Sequence, residues 1–181
     1  MVKIIILMQS VICSVTIRTV KLIMHKCKMN YTLKYARELT KAQLDMIAYT
    51  HLTMPIEWGR RTNDSNQNQA ALVQYWQQTS TAPKIFFVAL VSSEDVVMAF
   101  LWAESQDEPE CHVHIRSIWV ASDYRRQGLA RFLTAEVEAW ARSAGAGWLQ
   151  TNVHINNKVM QTINREAGYV DTYIRQVKEL L

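Results

Sequence analysis

The most informative stretch of the chain is a polar turn that joins a predicted strand to a predicted helix. It reads Ile118-Trp-Val-Ala-Ser-Asp-Tyr-Arg-Arg-Gln-Gly-Leu-Ala130. The first backbone N–H groups of a helix have no partner within the helix, and they carry the positive end of the helix dipole. Gly128 lets a ligand approach the backbone without meeting a Cβ atom. The turn therefore predicts a cradle for a phosphate or pyrophosphate, with Arg125, Arg126 and Arg131 adding positive charge.

Two other phosphate-binding motifs are absent from the chain. There is no GxxxxGK[ST] loop and no GxGxxG fingerprint. Taken by itself, the turn also fits an ordinary strand–helix connection with solvated arginines. Other parts of the sequence are therefore needed to decide between these two interpretations.

The strand predicted before this turn carries several titratable side chains. Strict alternation places two sets of residues on opposite faces: Glu110, His112, His114, Arg116, Ile118 and Val120 on one, and Cys111, Val113, Ile115, Ser117 and Trp119 on the other. Histidine titrates near neutral pH, so His112 and His114 have the chemistry of a base, but by themselves they also fit polar residues on a half-exposed strand face. Cys111-His112-x-His114 also suggests zinc, but Cys111 points away from both histidines and no second ligand cluster exists. We therefore predict no metal site.

The turn and a later segment together resemble one known family, the GNAT N-acetyltransferases. Arg125-x-x-Gly128-x-Ala130 matches that family's R/Q-x-x-G-x-G/A motif, and it follows the fourth predicted strand. The stretch from Asn157 to Gly168-Tyr169 looks like the family's N-x-x-A-x-x-x-Y-x-x-x-G-F segment. The resemblance covers about Tyr31–Leu180.

The resemblance implies that the chain binds acetyl-coenzyme A (acetyl-CoA) and transfers its acetyl group directly to an amine. The amides of Arg126–Ala130 would hold the pyrophosphate, and the backbone of Ile118–Val120 would pair with the pantetheine arm like an added strand. An amide of that strand would polarise the thioester carbonyl. The cofactor-binding residues implied are Ile118, Trp119, Val120, Arg125, Arg126, Gln127, Gly128, Leu129, Ala130 and Asn157.

The sequence departs from the family pattern at the expected catalytic positions. The tyrosine that protonates the departing thiolate falls on Asn164, which has no proton to give but can hydrogen-bond to sulfur. The helix alanine falls on Met160. The glutamate that serves as base in the histone-acetylating branch falls, by its offset from the motif, on His114. Glu104 and Glu110 stay open as bases that act through a water molecule.

The order of predicted elements is β-α-α-β-β-β-α-β-α-β. The fold class is α/β, with a mixed sheet of six to seven strands and helices on both faces, as in the GNAT fold that the resemblance implies. Thr40 and Gln43 form a capping-box pattern at the start of the first helix. The remaining predicted boundaries are a helix over Gln67–Thr79, strands over Lys84–Val91, Val96–Glu104, Glu110–Val120, Trp148–His154 and Tyr169–Leu180, and a helix over Leu129–Ala144.

The 181 residues are enough for one domain, which we assign to residues 29–181. Residues 1–28 hold five basic and no acidic side chains and are interpreted as an extension outside the domain; a signal or anchor is the alternative. Residues 29–181 then carry 15 basic and 16 acidic side chains, so no basic nucleic-acid-binding surface is predicted. No apolar stretch reaches the length that spans a bilayer. Three sparse cysteines fit a reducing, cytoplasmic compartment.

The expected partner is an amine on a small molecule or a peptide. The sequence carries no pattern that identifies this acceptor more closely. Trp58, with Gly59, Arg60 and Arg61, stands where this family builds its acceptor-binding wall. The segment after Gly168 is short for two long strands. A homodimer in which a partner subunit supplies the last strand of the sheet is therefore an open alternative. A second function also stays open, that of a non-catalytic acyl-CoA-binding regulatory module.

Overall fold

The computed structural model describes residues 30–58, 68–108 and 110–172. The regular elements follow the predicted order up to the last helix: β1 Tyr31–Tyr35, α1 Lys41–Thr53, α2 Gln69–Thr79, β2 Ile85–Ser92, β3 Val97–Gln106, β4 His112–Val120, α3 Leu129–Ser143, β5 Trp148–Thr151 and α4 Lys158–Glu166. Short 3-10 turns lie at Ala36–Glu38, Met54–Trp58 and Ser122–Tyr124.

The sheet is mixed, as predicted, and its five described strands follow one another in chain order. Strands β1 to β4 are antiparallel neighbours, and β5 pairs with β4 in parallel. Helix α3 makes the crossover that a parallel connection requires. The predicted count of six to seven strands exceeds the five described, because the final predicted strand over Tyr169–Leu180 is not a strand at 169–172 and lies outside the described residues from 173 on.

Two buried clusters sandwich the sheet. One face packs against α1 and α2 through Phe87, Phe100 and Trp102, and is called the α2 face below. The other packs against α3, with Leu133 and its neighbours, and is called the α3 face. The predicted arrangement of helices on both faces is therefore confirmed. In the described part of the chain no helix is long and apolar enough to cross a membrane.

The start of α1 shows how a local pattern sets an element boundary. The Gln43 amide donates to Thr40 Oγ1 at 3.2 Å, and the Thr40 amide donates to Gln43 Oε1 at 3.0 Å. This reciprocal pair satisfies two amides that the helix leaves without partners. The capping box predicted from the sequence is confirmed.

Strand β4 contains a bulge that the sequence analysis did not predict. Trp102 pairs with Ser117 and Ala103 pairs with Ile115, so Arg116 is an extra residue on β4. A bulge shifts the alternation of side chains by one position. Ile115 and Ile118 both contact the α3 face, and Ser117 lies on the α2 face. The predicted strict alternation was wrong from Ser117 onward.

Several predicted boundaries were too wide. Strand β4 begins at His112 rather than Glu110, and β5 ends at Thr151 rather than His154. Strand β5 stops where its pairing with β4 stops, at Ile115 and Thr151. A strand needs a neighbour to satisfy its backbone, and β5 loses its described one at this point.

Replacing Leu133 by Ala tests how firmly α3 is held. Leu133 is fully buried in the α3-face cluster. The lost contacts and the resulting cavity should lower the free energy of unfolding by about 2–5 kcal/mol. Arg142→Ala, which removes an exposed ion pair to Glu138 on the same helix, should change it by less than about 1 kcal/mol. Urea denaturation of both variants measures the difference, and equal effects would contradict this packing.

Candidate functional site

The turn between β4 and α3 has an uncapped helix start. Gly128 is the N-cap residue of α3, with φ of +83°, and no side chain caps this end. The first bond of the helix runs from the Phe132 amide to the Gly128 carbonyl at 2.9 Å. The amides of Leu129, Ala130 and Arg131 therefore have no partner within the helix. The positive φ of Gly128 is a conformation that favours glycine.

The residues before Gly128 hold this turn in place. Arg125 Nε donates to the Val120 carbonyl at 3.1 Å, and Gln127 Nε2 donates to the Asp123 carbonyl at 3.1 Å. Gln127 Oε1 is buried without a hydrogen-bond partner. Arg126 adopts a positive φ of 60°, which is uncommon outside glycine. The turn predicted to be the cradle is thus a shaped one, braced by the side chains of Arg125 and Gln127; its binding of an anion stays a prediction.

The positive charge around the cradle is smaller than the sequence suggested. Arg131 forms an ion pair with Glu166 of α4, so its charge is balanced. The Arg125 and Arg126 guanidinium groups form no ion pair within the described residues. Through this ion pair Arg131 links α3 to α4.

One edge of β4 is unpaired next to this turn. Strand β5 pairs only with His112 to Ile115, so Arg116–Val120 has β3 on one side and no described strand on the other. Ile118 and Val120 pack on the α3-face core, and Trp119 stacks on Phe100 with ring centroids 5.7 Å apart. These side chains are engaged in packing, which leaves the backbone edge for an extended ligand. The edge runs directly into the cradle.

His114 lies on the α2 face, one residue before the end of the β4–β5 pairing. Asn152 Nδ2 is 3.4 Å from His114 Nε2, a geometry in which the amide donates to the ring nitrogen. Burial lowers the pKa of His114 below its usual value of 6.5, and the nearby Arg116 charge lowers it further. The imidazole is therefore neutral at pH 7, with a lone pair on Nε2, which is the form a general base needs.

A carboxylate network stands beside His114. Glu104 is its cross-strand neighbour on β3. Glu104 accepts hydrogen bonds from Tyr75 Oη and from Arg116 Nε, each at 2.8 Å. Burial and the bond to Glu104 raise the pKa of the Tyr75 phenol. Glu104, Tyr75 and Arg116 thus form a polar wall beside the candidate base. The role of Tyr75 was missed by the sequence analysis, because nothing in α2 signals which β3 residue it meets.

His112 is a packed structural residue. It is buried, its Nδ1 donates to the Glu110 carbonyl at 2.8 Å, and Gln150 Nε2 lies 3.2 Å from its Nε2. Its ring stacks on Trp148 at 5.1 Å. Within the described ranges no group of three or more His, Cys, Asp or Glu side chains could hold a metal ion. The Cys111-His112-x-His114 pattern therefore does not build a metal site there.

The two asparagines singled out on α4 have different surroundings. Asn157 Oδ1 accepts the Met160 amide at 3.0 Å and caps the helix. Asn164 lines a cavity of about 200 Å³ between α4 and α3, together with residues such as Thr134 and Glu138. Asn164 and His114 share no hydrogen bond, and the structure places His114 on the opposite, α2 face of the sheet. The predicted catalytic pair is not assembled in the described structure.

The segment after α4 packs against the α3-face core. Gly168 has φ of +89°, and the Tyr169 amide donates to the Asn164 carbonyl at 3.0 Å. The Tyr169 ring packs against the α3-face core. Burial raises the pKa of its phenol to about 12.

The loop expected to form the acceptor wall begins close to α4. Asn156 Nδ2 donates to the Trp58 carbonyl at 3.2 Å. Gly59, Arg60 and Arg61 lie outside the described residues. The structure thus places Trp58 beside the start of α4, and the rest of the predicted wall stays a prediction.

The chain matches a family model and one curated relative. The model of the acetyltransferase (GNAT) family matches residues 47–169, which is more than half of the chain. An aminoglycoside N(6')-acetyltransferase type 1 from Acinetobacter genomosp. 13 is 31% identical over 58 residues. That alignment covers 32% of this chain and 40% of the relative, so less than half of the relative's length is matched.

Solved structures show the same fold at low sequence identity. A GCN5-related N-acetyltransferase from Ralstonia eutropha JMP134 is 13% identical, with a TM-score of 0.65, and the match covers 83% of this chain and 98% of that one. The structure of AAC(6')-Iy in complex with a bisubstrate analogue, CoA-S-monomethyl-acetylneamine, is 15% identical, with a TM-score of 0.60 and the same coverage. At these identities the likeness concerns the fold alone.

The protonation of His114 can be measured directly. Because burial and Arg116 disfavour the imidazolium, its NMR titration midpoint should lie below 6.5. On acidification the unfolded chain therefore takes up a proton at this residue at a higher pH than the folded chain does. The stability that the neutral His114 contributes is fully present above pH 6.5. It is lost as the pH falls from 6.5 toward the lowered pKa. His114→Gln should remove this resonance and flatten that part of the stability profile. A midpoint at or above 6.5 would contradict the described surroundings.

Proposed function

We propose that this chain, which belongs to the acetyltransferase (GNAT) family, transfers the acetyl group of acetyl-CoA directly to a primary amine of a small molecule or a peptide. The observation that carries the proposal is that two stretches of backbone without a described strand or cap beside them adjoin each other. The free edge of β4 at Arg116–Val120 leads into the uncapped start of α3 at Gly128. A phosphorylated, extended thioester carrier has complementary parts in the same order.

The cradle supplies the binding of the diphosphate. The amides of Leu129 and Ala130 lie at the positive end of α3, where they stabilise negative charge. Gly128 leaves the approach to them open. Asn157, whose Oδ1 is used as a helix cap, retains its Nδ2 donor for a contact at the pantetheine or phosphate region. The residues present fit acetyl-CoA.

The edge of β4 supplies alignment. Backbone groups of Ile118 to Val120 would hydrogen-bond the pantetheine amides as a neighbouring strand would. An amide of this strand would polarise the thioester carbonyl. When bound, acetyl-CoA supplies an activated acetyl group. The chain would gain much of its rate by holding that group and the amine in line.

His114 supplies the base. An amine that arrives as an ammonium must lose a proton before it can attack, and the neutral His114 can accept that proton at Nε2 where the amine takes the place of the Asn152 amide. Glu104 lies beside it and balances the positive charge of Arg116. Asn152 contacts Nε2 from the end of β5 and orients the ring.

The departing thiolate has no tyrosine donor at position 164. Asn164 lies in the cavity between α3 and α4, away from the α2 face that carries His114, and its amide has no proton to give. This residue favours the second candidate, a module that binds acyl-CoA without turnover. Release of free thiol in the presence of acetyl-CoA and an amine library separates the two functions: the enzyme releases thiol only when an acceptor is present.

The experiment that tests the proposed function is an acceptor screen. Amines of several classes, including aminoglycosides because of the partial relative, polyamines, amino acids and peptide N-termini, are incubated with protein and acetyl-CoA. A mass gain of one acetyl group on any amine identifies the acceptor. Binding of acetyl-CoA without a mass gain across all classes would favour the regulatory module. We place the activity in the cytoplasm as part of this proposal.

Replacing Gly128 by Asp tests the cradle. The new carboxylate would stand at the start of α3 and repel the diphosphate, so acetyl-CoA binding measured by calorimetry should weaken on the order of 100-fold or more. Gly145→Asp is a matched control, because Gly145 ends the same helix with φ of +77° and nothing lies within 4 Å of a Cβ there. It carries the same charge and similar backbone strain. Equal affinities in the two variants would remove the cradle from the site.

Replacing His114 by Gln tests the base, once an acceptor is known. We expect kcat/KM to fall about 100-fold while the Kd of acetyl-CoA stays unchanged. In the unmodified chain kcat/KM should fall on the acid side with a midpoint below 6.5, because protonated His114 cannot accept a proton. This limb should be absent in His114→Gln. A pH profile that keeps the limb would assign the base to another group.

A further inference from the structure

Ser117 is a buried hydroxyl with no hydrogen-bond partner. The residue is 4% exposed, and its Oγ has no hydrogen-bond partner among the described residues. Its cross-strand neighbour Trp102, 5% exposed, also has an unpartnered indole Nε1. A buried donor without an acceptor lowers stability. Two such donors at one register position of the sheet mark a place where a carbonyl oxygen could accept a hydrogen bond.

The bulge places this hydroxyl on the reactive side of β4. Without the extra residue Arg116, Ser117 would face α3. With it, His114, Arg116 and Ser117 all lie on the α2 face. On the α3 face, Ile115 and Ile118 pack against the core and offer no polar group. Bulges next to active sites commonly re-aim a side chain in this way.

The strand register indicates where the end of an extended ligand lies. A ligand that enters at the cradle can follow β4 from Val120 to Arg116, about 13 Å at 3.3 Å per residue. Strand β5 closes the gap from the Ile115–Thr151 pair onward. The reacting end of the ligand therefore stops at the level of the bulge, next to Ser117.

We propose that the Ser117 hydroxyl donates a hydrogen bond to the thioester carbonyl oxygen of bound acetyl-CoA, an inference that rests on the proposed function. As the C–N bond forms, an electron pair moves onto this oxygen, and Ser117 stabilises the charge while it keeps its own proton. The proton of the amine passes to His114. The electron pair on the oxygen then re-forms the C=O bond as the C–S bond breaks, and the C–S electron pair leaves with the thiolate. The thiolate takes a proton from water, and that water recovers a proton from His114.

The test uses acetyl-CoA labelled with ¹³C at the carbonyl and needs no acceptor. A hydrogen bond to a carbonyl lowers its stretching frequency, so isotope-edited infrared spectra of the unmodified chain should show a lower frequency than free acetyl-CoA. In Ser117→Ala the frequency should move back toward the free value. Ser117→Cys retains a weak donor and should lie between. Ser143→Ala, which removes an exposed hydroxyl at the far end of α3, should leave the frequency unchanged.

Kinetics give a second measurement once the screen has supplied an acceptor. Loss of one donor to the carbonyl oxygen should lower kcat about 100-fold in Ser117→Ala, with little change in KM for acetyl-CoA. Unfolding curves show whether each variant folds, and Ser117→Cys serves if Ser117→Ala does not. An unchanged carbonyl frequency with unchanged kcat would overturn the assignment of Ser117 alone. Failure of the unmodified chain to bind acetyl-CoA would overturn the proposed function and this inference with it.

Discussion

The parallel pairing of β4 with β5 ends at Ile115 and Thr151, and the rest of the candidate site depends on this early end. If the pairing continued to Val120, the backbone edge that leads to α3 would be satisfied by the protein itself. Because β5 stops after four residues, β4 from Arg116 to Trp119 has no described strand along this edge, and the edge leads to a helix whose first amides have no partner within the helix. The site is thus built from backbone groups that regular structure leaves unused.

The bulge at Arg116 gives the two faces of β4 different tasks. Toward α3, Ile115 and Ile118 bury apolar surface and hold the strand against the helix that carries the cradle. Toward α2, His114, Arg116 and Glu104 form a polar wall in partly buried surroundings. Charges and dipoles act more strongly where water is excluded. One irregular residue therefore separates the packing function of the strand from its chemistry.

Features set by neighbouring residues could be predicted from the sequence, and features set by pairing could not. The capping box of Thr40 and the turn at Gly128 depend on contacts within a few residues, so their signals are local. The bulge depends on how β4 lies against β3, and nothing in the run from His112 to Val120 marks it. The same holds for Tyr75, whose bond to Glu104 joins residues 29 positions apart. Position 164 carries asparagine where the family pattern has tyrosine. The resemblance alone could not show what this asparagine does.

The unpaired polar groups of this fold lie along one path. The α3 amides, the free edge of β4 and the hydroxyl of Ser117 follow one another from the cradle to the bulge. Of these groups, the Ser117 hydroxyl is buried, and it lowers stability as long as it has no partner. The hydrophobic clusters on the two faces of the sheet hold the strands around the site, with Val113 and Phe100 fully buried. A rigid scaffold of this kind keeps the donors in place, so that a ligand meets them already oriented.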